Sequence, residues 1–350
     1  VVTSENGCNV TVAIAAIKGL RRLGGRTMKS PLALNSFALS HVLIMYGLGV
    51  GLLTAHWWAL NLVGTLMLIH ALLLSATFTH ELIHSNIFKE RSLNAFWGQV
   101  MTHLTGACYA TWDDLVEHHF NHHIYHADFV AFDIPDFIKR LPPGSRQVIV
   151  ALEWAYFPAF EFILRLQIMI APFYQSDKRQ LRLRNAILLI YRGALFALLG
   201  YFSPKAVVLY AIAYISFVNL MRFADAFHHT YDYAIVGQPF PKRDRVYEQA
   251  HTFSNLVSTT HPWLNLLYFN FGYHNAHHHD MRCPWYKLPE LHEKLYGNEL
   301  KNLLPLPQLI ANYHHFRLDR LFGGQGEVTE DTTEIAAFTG GIGVSFLTPP

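Results

Sequence analysis

The chain has 350 residues, 51% of them hydrophobic and 14% aromatic, and only 15% charged, where soluble domains average about 25%. Its net charge of +2 is too small to imply nucleic acid as a partner. The three cysteines, Cys8, Cys108 and Cys283, form no CxxC pair, which excludes a disulfide framework and a thiolate zinc site. The balance suits an integral membrane protein in which any metal is held by nitrogen and oxygen.

Residues 1–31 carry Lys18, Arg21, Arg22, Arg26 and Lys29 with no cleavable leader ahead of the first apolar run, and are expected to stay in the cytoplasm as a basic segment. A membrane domain is expected over 32–300. Leu32–Ala55 and Trp57–Phe78 are each long enough to cross a hydrocarbon core about 30 Å thick, with a tight turn at His56 between them. After the loop at Pro142-Pro-Gly144, the stretch Val148–Phe173 is apolar but broken by Glu153, Pro158, Glu161, Arg165 and Pro172. It reads as a pair of interfacial helices, about 148–173, rather than a span.

Two further spans are expected at Ala186–Phe202 and Pro204–Met221. Arg192 lies near the centre of the first, where a cation costs about 2.5–3.5 kcal/mol, so it is expected to face the bundle or snorkel toward an interface, with Glu153 or Glu161 as its expected partner. Residues 301–350 form a C-terminal extension that changes character after Leu321, where Gly323-Gly-Gln-Gly and Thr339-Gly-Gly read as a flexible or draped tail. The fold predicted is all-α: about four transmembrane helices in two hairpins, with a helical cap holding the histidines. The basic residues and the histidine-rich stretches all fall on one side, which the positive-inside rule makes cytoplasmic.

The 22 histidines are grouped. His80 and His84 continue the second span, four residues apart and so on one helical face. His118 and His122 repeat that spacing, and His119 and His123 form a neighbouring pair. His274, His277 and His278 share a face further on. A fourth element, Asp225-Ala-Phe-His228-His229, follows the last span. Neutral imidazole is the commonest metal ligand, and nitrogen-rich sites suit zinc, copper, iron or nickel. His80-Glu81-Leu-Ile-His84 taken alone matches the zinc protease signature HExxH, and an intramembrane zinc protease is the alternative from another class. It would require a third ligand, typically Asp, in a later span, and would leave most of the histidines unused. A metal transporter would place its ligands within the spans. Two metals, each with several imidazoles, account for the histidines better.

The three boxes, in this order and at these separations, resemble the membrane fatty acid desaturase superfamily. The phrases Thr79-His-Glu-Leu-Ile-His84 and Gly272-Tyr-His-Asn-Ala-His-His278 carry the likeness, which runs from about Leu32 to Tyr296. The resemblance implies a diiron centre that uses dioxygen and external electrons to desaturate an acyl chain; related acyl hydroxylases and acetylenases use a similar ligand set. The ligands it implies are His80, His84, His118, His122, His123, His229, His274, His277 and His278. His119 is the alternative to His118, because it gives the HxxHH form of the second box. Relatives often carry an amide near the extra histidine, where this chain has Asp225 and His228. These two, with Glu81, are expected to support the ligands; Asp113, Asp114, Glu117, Asn121 and Asn275 are further candidates. Trp112, Tyr125, Tyr273 and Trp285 are candidates to line an acyl tunnel.

The implied partners are an acyl chain carried on lipid, coenzyme A or acyl carrier protein, and an electron donor: a ferredoxin, a rubredoxin or a b-type cytochrome. No haem motif or dinucleotide fingerprint is present in the sequence, so the donor is expected to be a separate protein. The basic runs Lys178–Arg184 and Lys242–Arg245 are candidate docking sites for an acidic carrier, and a phosphate-rich surface of membrane lipid would attract the same residues.

Overall fold

The computed structural model describes residues 32–297, 302–323, 326, 338–342 and 345–349; the basic segment 1–31 lies outside them. The first two helices, α1 (Leu32–Leu53) and α2 (Trp58–Ile83), form a close antiparallel hairpin. Their backbones meet at Gly49 and Gly64, where a Cβ on Gly64 would stand 2.8 Å from the Gly49 carbonyl oxygen; small residues permit such approach between membrane helices. The side chain of Asn61 donates to the carbonyls of Leu52, Leu53 and Ala55 at 2.9, 3.1 and 3.0 Å, satisfying the orphan acceptors at the end of α1.

Next come α3 (Arg91–Thr105), α4 (Trp112–Tyr125), strand β1 (Asp128–Val130), α5 (Ile134–Arg140), α6 (Pro143–Trp154) and α7 (Ala159–Tyr174). The pair α6–α7 is bent by 117°, as the prolines and charges of that stretch require. The second long hairpin is α8 (Arg182–Phe202) and α9 (Pro204–Ala226). Strand β2 (Tyr233–Ile235) pairs in parallel with β1, Phe129 opposite Ala234. Short helices follow: α10 (Arg245–Ala250), α11 (His274–His279), α12 (Leu288–Tyr296) and α13 (Leu306–His315).

Among the described residues, four helices are long and apolar enough to cross a membrane, which supports an integral membrane protein. α8 exposes Leu183, Ile187, Ile190, Leu195, Leu198 and Phe202, an apolar face that only lipid or another hydrophobic surface would cover. The helices outrun the predicted spans. α2 continues past Phe78 to Ile83, so His80 lies on its last turn, and α9 continues past Met221 to Ala226.

Arg192 pairs with neither expected carboxylate. Its guanidinium donates to the His103 carbonyl at 2.7 Å, because each glutamate already has a nearer arginine. Glu153 pairs with Arg222 and Glu161 with Arg165, both at 2.9 Å. Part of the C-terminal extension, 324–325, 327–337, 343–344 and 350, lies outside the described residues. The described part of it is anchored to α9 and its surroundings: Gly341 donates its N–H to Ala226, Arg222 Nε donates to the Ile342 carbonyl at 2.9 Å, and Asn312 donates to the Phe338 carbonyl at 3.1 Å.

Candidate metal centre

Helix α4 begins with a capping box in which the Thr111 hydroxyl accepts from the Asp114 N–H and the Asp114 carboxylate accepts from the Thr111 N–H. This cap fixes the start of a helix whose residues turn by about 100° each. His119, His122 and His123 then fall within one arc toward the protein centre, and His118 lies about 90° from its middle. A second local device sets α11. Gly272 sits so close to the Tyr268 hydroxyl and the Asn255 carbonyl that a Cβ would overlap both, and just before it Phe269 and Asn270 both have positive φ, uncommon for non-glycine residues.

These elements bring nine buried histidines into two abutting groups. The first holds His80 and His84 from α2, His119 and His123 from α4, and His277 from α11. The second holds His122 from α4, His229 from the segment after α9, and His274 and His278 from α11. The rings of His123 and His278 stack at 4.2 Å where the groups touch.

Ring nitrogens face ring nitrogens throughout. In the first group the Nε2 atom of His119 lies 2.8 Å from that of His84 and 3.1 Å from that of His123, which is in turn 3.2 Å from that of His277. In the second, His229 Nε2 lies 2.8 Å from His274 Nε2 and 3.1 Å from His122 Nε2. Hydrogen bonding cannot satisfy this pattern, because an imidazole nitrogen has one in-plane site, a lone pair or a proton, and His119, His123 and His229 each face two partners. A metal can. Two imidazoles bound at about 2.1 Å and roughly at right angles stand about 3 Å apart. The Nε2 atoms of His80 and His278 are buried without a hydrogen-bond partner, a costly state that ligation would relieve. The donor set therefore fits a pair of nitrogen-bound metals.

Burial, reinforced by neighbouring imidazoles, holds His84, His119, His123, His229, His274, His277 and His278 well below the usual histidine pKa. They stay neutral, which is the ligating form. His122 differs. Burial alone would lower it, but the Asp128 carboxylate and the Ala127 carbonyl raise it above the usual value. Both acceptors lie 3.1 Å from His122 Nδ1, fixing the proton there and turning the Nε2 lone pair inward. Glu248 does the same for His278 Nδ1 at 3.1 Å; burial pushes its carboxyl up to about 7. Thr252 faces His229 Nδ1 at 3.4 Å.

Of the nine ligands expected from sequence, eight lie in the two groups and His118 does not; His119, the alternative, takes the place. His118 instead faces Phe129 and lines a side cavity. Asp225 approaches His228 Nδ1 at 3.6 Å, and the His228 ring stacks on His274 at 3.9 Å. Glu81 brings Oε1 to 3.6 Å from His80 Nδ1 and accepts the Trp285 N–H at Oε2 at 3.0 Å, tying the end of α2 to the chain after α11. Asn275 accepts from Tyr296 at 2.8 Å. Asp114 serves the helix cap.

Asp128, Glu248 and Thr252 are the supporting residues that sequence reasoning missed. Asp128 is close enough to the second box to have been found by proximity, but nothing in the sequence marks the other two.

Beside the second group lies an open pocket, lined mainly by apolar residues including Phe129, Phe132, Leu164 and Ile168, with Asp128, Gln167, Lys178 and Asp225 among them, and reaching His229. Trp112, Tyr125, Tyr273 and Trp285 do not line it. Trp112 packs against Gly98 and Trp285 against Phe269; they are core residues. The basic runs are also partly occupied. Arg184 donates to the carbonyls of Cys108, Tyr109 and Ala110, and Arg243 pairs with Asp232 at 2.6 Å.

The fatty acid desaturase family matches residues 55–309 of the chain. No curated protein and no solved structure matches it.

Proposed function

The chain belongs to the fatty acid desaturase family, whose members are diiron oxidoreductases, and from that premise we propose that it introduces a carbon–carbon double bond into a saturated acyl chain. The two abutting imidazole groups carry this reading. We assign one iron to His80, His84, His119, His123 and His277, and the other to His122, His229, His274 and His278. The metal pair supplies the activation of dioxygen that an unactivated C–H bond demands, a task beyond any ordinary side chain. In the net reaction the acyl chain gives up two hydrogen atoms, which carry two protons and two electrons; a donor adds two electrons, two further protons are taken up, and dioxygen leaves as two waters.

The protein's own residues do the rest. Phe129, Phe132, Leu164 and Ile168 would hold the acyl chain in an apolar slot that ends at His229, excluding bulk water from the reacting carbons. Asp128 and Glu248 keep His122 and His278 protonated at Nδ1 and oriented at Nε2. The positive-inside reading of the basic residues puts the centre on the cytoplasmic side, where a soluble or membrane-bound electron carrier reaches it.

The test is elemental analysis of detergent-purified protein together with mass spectrometry of acyl products formed with a reductant under oxygen. About two irons per chain and an oxygen-dependent product two hydrogens lighter are expected. A product one oxygen heavier would assign hydroxylation instead, and zinc without iron in active protein would overturn the reading.

A further inference from the structure

A small pocket that includes none of the clustered histidines is lined by Glu153 at the end of α6, by Asn219 and Arg222 near the end of α9, and by Tyr313, Arg317 and Arg320 in and after α13. Its wall thus holds three guanidinium groups and one carboxylate. That carboxylate is already taken: Glu153 accepts from Arg222 at 2.9 Å and from the Phe160 N–H at 2.8 Å. The arginine ion pairs among the described residues are those of Arg140, Arg165, Arg222 and Arg243, so Arg317 and Arg320 have none.

Arg320 is only 3% exposed. Its Nε and Nη2 donate to the Phe316 and Tyr313 carbonyls at 3.2 and 2.8 Å, capping the end of α13, and its guanidinium lies 4.1 Å from the Tyr313 ring centre. Carbonyl dipoles and a ring face leave the charge without a counter-ion, and a buried charge in that state is costly. Burial, helped by the Arg222 cation, accordingly lowers Arg320 to about 10. Arg317 is half-buried. It gives Nη1 to the His314 carbonyl at 2.8 Å and keeps Nε buried without a hydrogen-bond partner.

We propose that this pocket binds a phosphate group, and that the headgroup of an anionic membrane lipid supplies it. Guanidinium groups suit phosphate because their planar forks donate in parallel pairs to its oxygens. The surroundings favour a lipid over a soluble ion. Asn219 and Arg222 lie on a helix long and apolar enough to cross a membrane. Trp154 and Leu220 adjoin lining residues, Ile310 precedes Tyr313 by one helical turn, and the three are 56%, 43% and 54% exposed. The Arg317 guanidinium stands 5.6 Å from the Trp154 ring centre. A tryptophan at headgroup depth beside basic groups at the end of a span is the arrangement expected where a phosphate layer meets hydrocarbon.

The experiment follows the thermal unfolding midpoint of full-length protein in detergent, stripped of lipid, as dioleoyl phosphatidic acid, dioleoylglycerol or inorganic phosphate is added. Arg320 is too buried to replace without risk to folding, so wild type is compared with Arg317→Gln. Arg179→Gln is the control, removing a cation from an exposed position outside the pocket. Phosphatidic acid is expected to raise the wild-type midpoint, whereas dioleoylglycerol, with the same tails and no phosphate, is not. Arg317→Gln should weaken the response to phosphatidic acid roughly tenfold or more, and Arg179→Gln should leave it unchanged. No response of the wild type to either phosphate source overturns the site, and so does an equal response to phosphatidic acid and dioleoylglycerol. Equal responses from wild type and Arg317→Gln, or equal losses in the two variants, also overturn it, the latter assigning the attraction to general surface charge. Stabilisation by inorganic phosphate but not by phosphatidic acid, lost in Arg317→Gln, supports the phosphate site and overturns lipid as its source.

Discussion

The two histidine groups use the same ligand chemistry and are built differently. The first takes four of its five imidazoles from the long helix α2 and the capped helix α4. The Nδ1 atoms of His80, His84, His119, His123 and His277 have no hydrogen-bond partner among the described residues; backbone helicity and contact between rings set their positions. The second takes His229 from an extended segment, and three of its four rings are held from behind, by Asp128, Thr252 and Glu248. Two of those three rings, His122 and His278, are also presented by helices, so in this group a hydrogen bond at the far nitrogen adds a choice of tautomer and direction to what helical periodicity already sets.

Removing a ligand tests the groups most severely. His119→Ala is expected to empty the first site and abolish turnover, with iron falling from about two to about one per chain; His229→Ala should do the same to the second. If either variant kept both irons, the corresponding assignment would fail. The next effect separates the groups. Asp128→Asn and Glu248→Gln should weaken metal at the second site by about 10–100-fold and leave the first intact, as chelator titration would show. Equal loss from both sites would erase the distinction drawn between them.

Gly272→Ala should disturb both groups together, because α11 supplies ligands to each. The added methyl meets the Asn255 carbonyl and the Tyr268 hydroxyl, and overpacking of this kind costs about 1–3 kcal/mol, read as a lowered midpoint in thermal unfolding. His118→Ala should have the smallest effect, with both irons retained. Loss of an iron there would return His118 to the ligand set and require α4 to be rotated.

Much of this protein was legible as sequence because its strongest signals are local and periodic. Twenty or so apolar residues in a row can only be stabilised across a bilayer or in a core, so the four long helices followed from composition alone. The HxxxH and HxxHH spacings put imidazoles on one helical face, so seven of the nine clustered histidines could be named from the boxes before their positions were known, and His229 from the family resemblance. The second box stayed ambiguous because His118/His122 and His119/His123 have identical spacing. Only the direction in which α4 faces, fixed by its packing and its Thr111–Asp114 cap, brings His119 inward.

Other features depended on contacts between distant parts of the chain and left no pattern to read. Glu248 reaches His278 across 30 residues, and Arg222 takes Glu153 across 69, which is why Arg192 was left to a backbone carbonyl. Phe346 is an ordinary aromatic in a glycine-rich tail until the fold returns its ring to that of His80. Sequence fixes which side chains can bind a metal and which faces are greasy, because those are properties of residues and their spacing. Which nitrogens converge, and what stands behind them, is decided by tertiary packing, because a hydrogen bond or a ring contact depends on separation in space rather than along the chain.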